Sequence, residues 1–192
     1  MNTLADASRS LIPTFWAIWI AIWLIAAIGM KRAQWREPRA TAIWNRAPVL
    51  IGTVMLLRPQ SLPAALTYRF VPPGPELAAF GTILVFLGLA FAIWARAHLG
   101  GNWSGAVTVK QGHTLIRSGP YRFVRHPIYT GMLLALAGTA LAIGAAYGFI
   151  ATVLIMAGFV VKLRLEEERM RDTFPEYDDY SRHTARLIPG VF

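Results

Sequence analysis

From Leu11 to Met30 twenty residues pass without a single charge. About 20 mostly apolar residues are what a helix needs to cross the hydrocarbon of a bilayer. Pro13 is expected in the first turn, where its missing N–H is harmless. Lys31, Arg32, Arg36 and Arg39 follow the run instead of a small-residue cleavage site, so the run reads as a retained span and not a removed leader. Four more apolar stretches have the same character. The second is expected from near Ile43 to about Leu66, around the core Ala47 to Leu57. Leu77 to Ala95 is a clear third, and Ile128 to Ile143 and Tyr147 to Val161 form a closing pair joined by Gly144-Ala145-Ala146, which suits a tight helical hairpin. Gly131, Gly138, Gly144, Gly148 and Gly158 are expected to let this pair approach closely. Irregular backbone cannot lie in hydrocarbon, so the polar, glycine-containing stretch Gly100 to Arg125 belongs outside it.

The expected fold is all-α and polytopic, with about five transmembrane helices. Residues 1–96 form an N-terminal region of three spans, and residues 97–192 form a core of loop, helical hairpin, helix and tail. Composition agrees: hydrophobic residues are 55% and charged residues 15%, too few to cover a soluble surface. Two spans separate the 100–125 segment from the tail, so both lie on one face. Removing Arg9, Arg58 and Arg69 from the 19 Lys and Arg leaves sixteen on that face. By the positive-inside rule it is cytoplasmic and the N-terminus lies outside, in a bacterial inner membrane if the source is bacterial. The net charge of +9 is then explained by anionic lipid, and no motif for reading or stacking on nucleic acid accompanies it. There are no cysteines, which excludes disulfides, thiolate nucleophiles and Cys-ligated zinc. The four His are irregularly spaced, and no metal site is expected.

Three polar segments on the basic face carry more chemistry than topology requires. The first runs from His113 to Gly131, with a turn at Gly119-Pro120 and with His126-Pro127 at a helix start. That helix N-terminus favours a carboxylate or other anion, and Gly131 could admit a ligand against its backbone. The second, Lys162 to Phe174, continues the last span. Leu163, Met170 and Phe174 share a stripe that includes Glu167, with Glu166 at its edge. Lys162 is one turn before Glu166, and Arg164 and Arg171 can both reach Glu167. A carboxylate on an apolar face beside cations is either a paired structural charge or a ligand contact. The third, Pro175 to Pro189, reads as a packing cap in which Tyr177 and Tyr180 share a face and Leu187-Ile188-Pro189 folds back on the membrane or the core.

In order and spacing, these segments resemble the isoprenylcysteine carboxyl methyltransferase family of integral membrane enzymes. The residues that carry the likeness are His113-Thr114-Leu115 to Gly119-Pro120-Tyr121, Arg125-His126-Pro127-x-Tyr129-x-Gly131, Glu166-Glu167-x-x-Met170-x-x-x-Phe174, Tyr177-x-x-Tyr180 and Arg186-x-x-Pro189. They cover about half the chain, from Trp94 on, and bacterial phospholipid N-methyltransferases share much of the pattern. The resemblance implies S-adenosylmethionine as methyl donor, held in a cytoplasmic pocket. His113, Thr114, Leu115, Ile116, Tyr121, Arg125, His126, Pro127, Ile128 and Tyr129 would line that pocket, with Thr108 a further candidate. Glu166 would contact the donor from the other side. The family's substrate-contacting Arg one turn before the Glu is Lys162 here, with Arg164 two residues on. Its Phe-Gly before the paired tyrosines is Phe174-Pro175, one residue shorter.

The implied reaction is methyl transfer to a lipophilic acceptor, a small molecule or a prenylated chain, and most simply to a carboxylate. Arg125, Lys162 and Arg164 would form a positive rim for it. An amine acceptor would need a base, for which Glu167 and His126 are candidates. The competing readings are a phospholipid, amine or thiol methyltransferase, a nicotinamide-dependent membrane reductase of similar architecture, and a scaffold without catalysis.

Overall fold

The computed structural model describes residues 3–28, 39–100 and 115–190. Its α-helices are α1 (Thr3–Ala27), α2 (Arg39–Leu57), the single turn α3 (Ala64–Thr67), α4 (Pro75–Leu99), α5 (Pro127–Ile143), α6 (Ala146–Thr173) and α7 (Tyr177–His183). Among the described residues, three helices are long and apolar enough to cross a membrane: α1, α4 and α6. The apolar stretches of α2 and α5 are shorter. The protein is a helical membrane protein, and the described residues form no strand beyond two isolated bridges.

Two expectations about element limits change. The second span begins at Arg39 and ends at Leu57, not near Leu66. Pro59 and Pro63 are the reason. Arg58 leaves helical geometry, a 3-10 turn runs over Pro59–Ser61, and Pro63 precedes α3; a residue before proline is pushed out of the α region. Pro13 lies inside α1, which starts at Thr3, and not in its first turn.

Side-chain size sets how the helices meet. Helix α4 packs most extensively on α5, α2 lies on α6, and α1 lies on α4. At the α4–α5 contact Gly88 faces Gly131 and Gly81 faces Gly138, with each backbone against the other's carbonyl. A Cβ on Gly81 would lie 2.6 Å from the Gly138 oxygen, so only glycine permits this approach. Gly131 and Gly138 therefore seat α5 on α4, not on α6, and Gly131 is closed by α4 instead of being open to a ligand. Gly148 faces α5 across the hairpin. The expected hairpin turn holds: Gly144 caps α5 in the left-handed region (φ 68°), and its carbonyl accepts the N–H groups of Phe70 and Val71, each at 3.2 Å. At the other end of the bundle, buried Arg96 on α4 donates to the Ala26 carbonyl at 2.7 Å and the Gly100 carbonyl at 2.8 Å. This ties the end of α1 to the end of α4.

Candidate functional site

Helix α5 starts where the chain stops being polar. Pro127 is its first residue and His126 its N-cap, which supplies no side-chain cap. The segment leading into it is held by the tail. Val124 and Ala185 form a parallel bridge, Arg125 N–H donates to the Ala185 carbonyl at 2.8 Å, and His126 N–H donates to the Arg186 carbonyl at 3.1 Å. The Thr130 hydroxyl donates to the Leu187 carbonyl at 2.7 Å. The tail therefore folds back on the core, with Leu187 buried in the same cluster as Tyr129, Phe159 and Leu163.

The two adjacent glutamates of α6 differ in kind. Glu167 is 1% exposed. One of its oxygens accepts Arg125 Nε at 2.8 Å and Arg186 Nε at 3.1 Å, with His126 Nε2 at 3.2 Å. The other accepts Arg186 Nη2 at 2.8 Å, with Arg171 Nη2 at 3.7 Å. Arg125 further donates to the carbonyls of Ser181 and Thr184. Glu167 is thus the hub that joins α5, α6 and the tail, and its burial is compensated by cations on each side. Glu166 is 19% exposed and looks outward from this hub. It accepts the Tyr129 hydroxyl at 2.9 Å and lies 3.6 Å from Lys162 Nζ and 3.7 Å from His126 Nδ1. Lys162 also sits 5.6 Å over the Tyr129 ring. The His126 ring thus bridges an enclosed carboxylate and an open one.

Tyr121, Tyr177 and Tyr180 make the floor beneath. The Tyr180 hydroxyl donates to the Tyr121 carbonyl at 2.6 Å. Burial, more than any charge, pushes the Tyr180 phenol up to about 12. Burial also raises Tyr121 and Tyr177, assisted by Glu166 and Glu167 respectively.

Of the residues expected to form the pocket, the fold brings His126, Tyr129, Lys162 and Glu166 together. Arg125 faces inward to Glu167. Pro127 is fully buried, and Ile128 packs with Ala95, Tyr121 and Ile116. Leu115 lies against Phe174, Tyr177 and Tyr180. Arg164 is exposed. Thr108, His113 and Thr114 lie outside the described residues. Arg186 received no role from the sequence although it makes the two-pronged contact with Glu167. Its spacing three residues before Pro189 was visible, but nothing local said which carboxylate it would meet.

Residues 81–172 match the model of the isoprenylcysteine carboxyl methyltransferase family. The cobalt-zinc-cadmium resistance protein CzcN of Cupriavidus metallidurans is 28% identical over 122 residues, 61% of this chain and 51% of that protein. The nickel-cobalt-cadmium resistance protein NccN of Alcaligenes xylosoxydans xylosoxydans is 25% identical over 120 residues, 60% of this chain and 51% of that protein. The chain spans about half the length of the curated relatives it matches. Among solved structures, a eukaryotic intramembrane Ras methyltransferase, isoprenylcysteine carboxyl methyltransferase, is similar over 81% of this chain and 54% of that one, at 18% identity and a TM-score of 0.42. The stretch similar to the isoprenylcysteine carboxyl methyltransferase family holds α5 and the paired glutamates of α6.

Proposed function

We propose that the protein transfers a methyl group from S-adenosylmethionine to a lipophilic acceptor at the face of the membrane where α5 begins, and that this face, richer in Lys and Arg, is the cytoplasmic one. The observation that carries this reading is the division of labour between the two glutamates. Glu167 is saturated by arginines, which leaves Glu166 as the accessible carboxylate, oriented by the Tyr129 hydroxyl.

The residues suit such a donor chemically. Glu166 offers a carboxylate to a cationic amine or sulfonium. The first-turn N–H groups of Ile128 and Tyr129 precede the first intrahelical bond, made by Thr130 N–H to the His126 carbonyl, and they suit a carboxylate. Bound there, the donor supplies an electrophilic methyl group. Glu166 holds its cationic part, Tyr129 keeps Glu166 aligned, and the Glu167 hub fixes His126 and the start of α5. Lys162 is placed to attract an anionic acceptor, with Arg164 nearby in the exposed rim. The buried, fully paired Glu167 is a positioning residue and a poor general base. A carboxylate acceptor needs no base, since it attacks the methyl group already ionised, so the geometry favours an isoprenylcysteine-like acid over an amine. Orientation of two held reactants is then worth on the order of 7–11 kcal/mol. The metal-resistance relatives carry names that specify no reaction.

The reading is tested with purified chain, tritiated S-adenosylmethionine and S-farnesylcysteine. Label is expected in a base-labile ester. Absence of S-adenosylhomocysteine binding by calorimetry at millimolar ligand would sink it, and NADPH oxidation with no methyl transfer would replace it with the reductase reading.

A further inference from the structure

A cavity of about 790 Å³ lies among α1, α2, α4, α5 and α6, and neither of the paired glutamates lines it. Along α6 it extends from Tyr147 to Phe159, a rise of about 18 Å. One leaflet of a bilayer offers hydrocarbon about 15 Å deep, so the cavity is as deep as one leaflet. Its walls are apolar. Two of the polar side chains that line it turn their hydroxyls to helix backbone: Thr53 donates to the Val49 carbonyl at 2.7 Å and Thr139 to the Ala135 carbonyl at 2.8 Å. Trp16 Nε1 donates to Thr139 at 3.1 Å. The one charged lining residue among those described is Arg69, at the mouth beside Gly144 where α5 ends, and no carboxylate lines the cavity. The opposite end is shut: Phe159 packs on the Tyr129 ring, centroids 4.9 Å apart.

We propose that this cavity is a lipid site, entered tail-first from the face opposite the glutamates, which holds one acyl chain of an anionic phospholipid with its phosphate at Arg69. Depth, apolar walls and a cation confined to the mouth all match a leaflet lipid. The polar group belongs at Arg69 because toward the inner end the lining is apolar, with Trp19, Ile20, Val49, Met132 and Phe159. The same closure separates this lipid from an acceptor that approaches Lys162. Packed interiors leave few voids of this size, and a hydrocarbon chain would restore the missing dispersion contacts. The proposal is independent of the methyl-transfer reading.

The test is native mass spectrometry of the detergent-purified full chain with dioleoyl phosphatidylglycerol or dioleoyl phosphatidylcholine. One retained phosphatidylglycerol is expected, in preference to phosphatidylcholine. Arg69→Gln should weaken that preference about fivefold, whereas Arg58→Gln, on the same face but outside the cavity lining, should leave it unchanged. Ala78→Trp, which places a ring among the lining residues, should abolish retention of both lipids. Equal loss in the Arg58 and Arg69 variants would show general interfacial attraction and overturn the proposal. Full retention in a folded Ala78→Trp protein, or equal binding of the two lipids by wild type, would do the same. If Ala78→Trp does not fold, the Arg58 and Arg69 comparison decides alone.

Discussion

Neighbouring residues of one type can hold opposite jobs, and Glu166 and Glu167 should separate cleanly on substitution. Glu167→Gln leaves the half-buried Arg125 and Arg186 with a weaker acceptor. It should cost about 3–5 kcal/mol, the usual toll of breaking a buried pair, read as a fall in denaturation midpoint of the solubilised protein. Glu166→Gln removes a partly exposed charge and should shift stability by less than about 1 kcal/mol. Its effect should appear in the titration with S-adenosylhomocysteine, as weaker donor binding. The reverse ordering would show that the hub had been assigned to the wrong residue. Tyr180 gives a pH dependence. Its folded phenol titrates at about 12 against about 10 unfolded, so the folded state prefers the neutral form. The stability this gives is present below about pH 10 and is lost as pH rises through 12. Tyr180→Phe should reduce the alkaline loss and cost about 1 kcal/mol at neutral pH through the missing bond to the Tyr121 carbonyl. Urea titrations at pH 7, 10 and 11 read both effects.

At the scale of elements, glycine placement was plain in the sequence but its partner was not. Periodicity shows that a helix has a small-residue face, yet it does not say which neighbour that face meets. Gly131 and Gly138 meet α4 and not α6, the nearest helix in sequence, because Gly81 and Gly88 on α4 carry the same seven-residue spacing. Gly88→Val should force α4 and α5 apart and cost about 1–3 kcal/mol by overpacking, visible in thermal melts. Gly74→Val, where the nearest atom is 3.6 Å away, should cost less. Apolar composition continues past Leu57 and predicts a longer second span, but Pro59 and Pro63 end the helix there. The continuation of α6 into a charged helix was legible, because Leu163, Glu167 and Met170 keep one stripe without a breaker. The candidate pocket was legible as a set of segments, but which side chains face inward was not. Arg125 reads as a rim cation from spacing and becomes internal only when the tail arrives from 56 residues away to accept its hydrogen bonds.

At the scale of the whole molecule, the helix order puts Arg69 and the His126–Glu166 cluster at opposite ends of α5, about 25 Å apart. The chain has no cysteine, so single cysteines report topology directly. Cysteine at Gln60 and cysteine at Arg182 should label with an impermeant maleimide from opposite sides of sealed vesicles. Labelling from the same side would remove the helix parity on which the proposed orientation rests. The tail clamp on α5 also has a consequence for biogenesis. Insertion of α5 and α6 into the bilayer and assembly of the site are separable events, because Glu167 acquires Arg186 only after α7 has turned back and closed a loop of 19 residues. Until that closure, a carboxylate sits at the end of a membrane helix with part of its neutralising charge missing. A chain that inserts correctly and fails at this step would display an exposed acidic defect, a feature that membrane quality control could use to tell a finished molecule from an unfinished one.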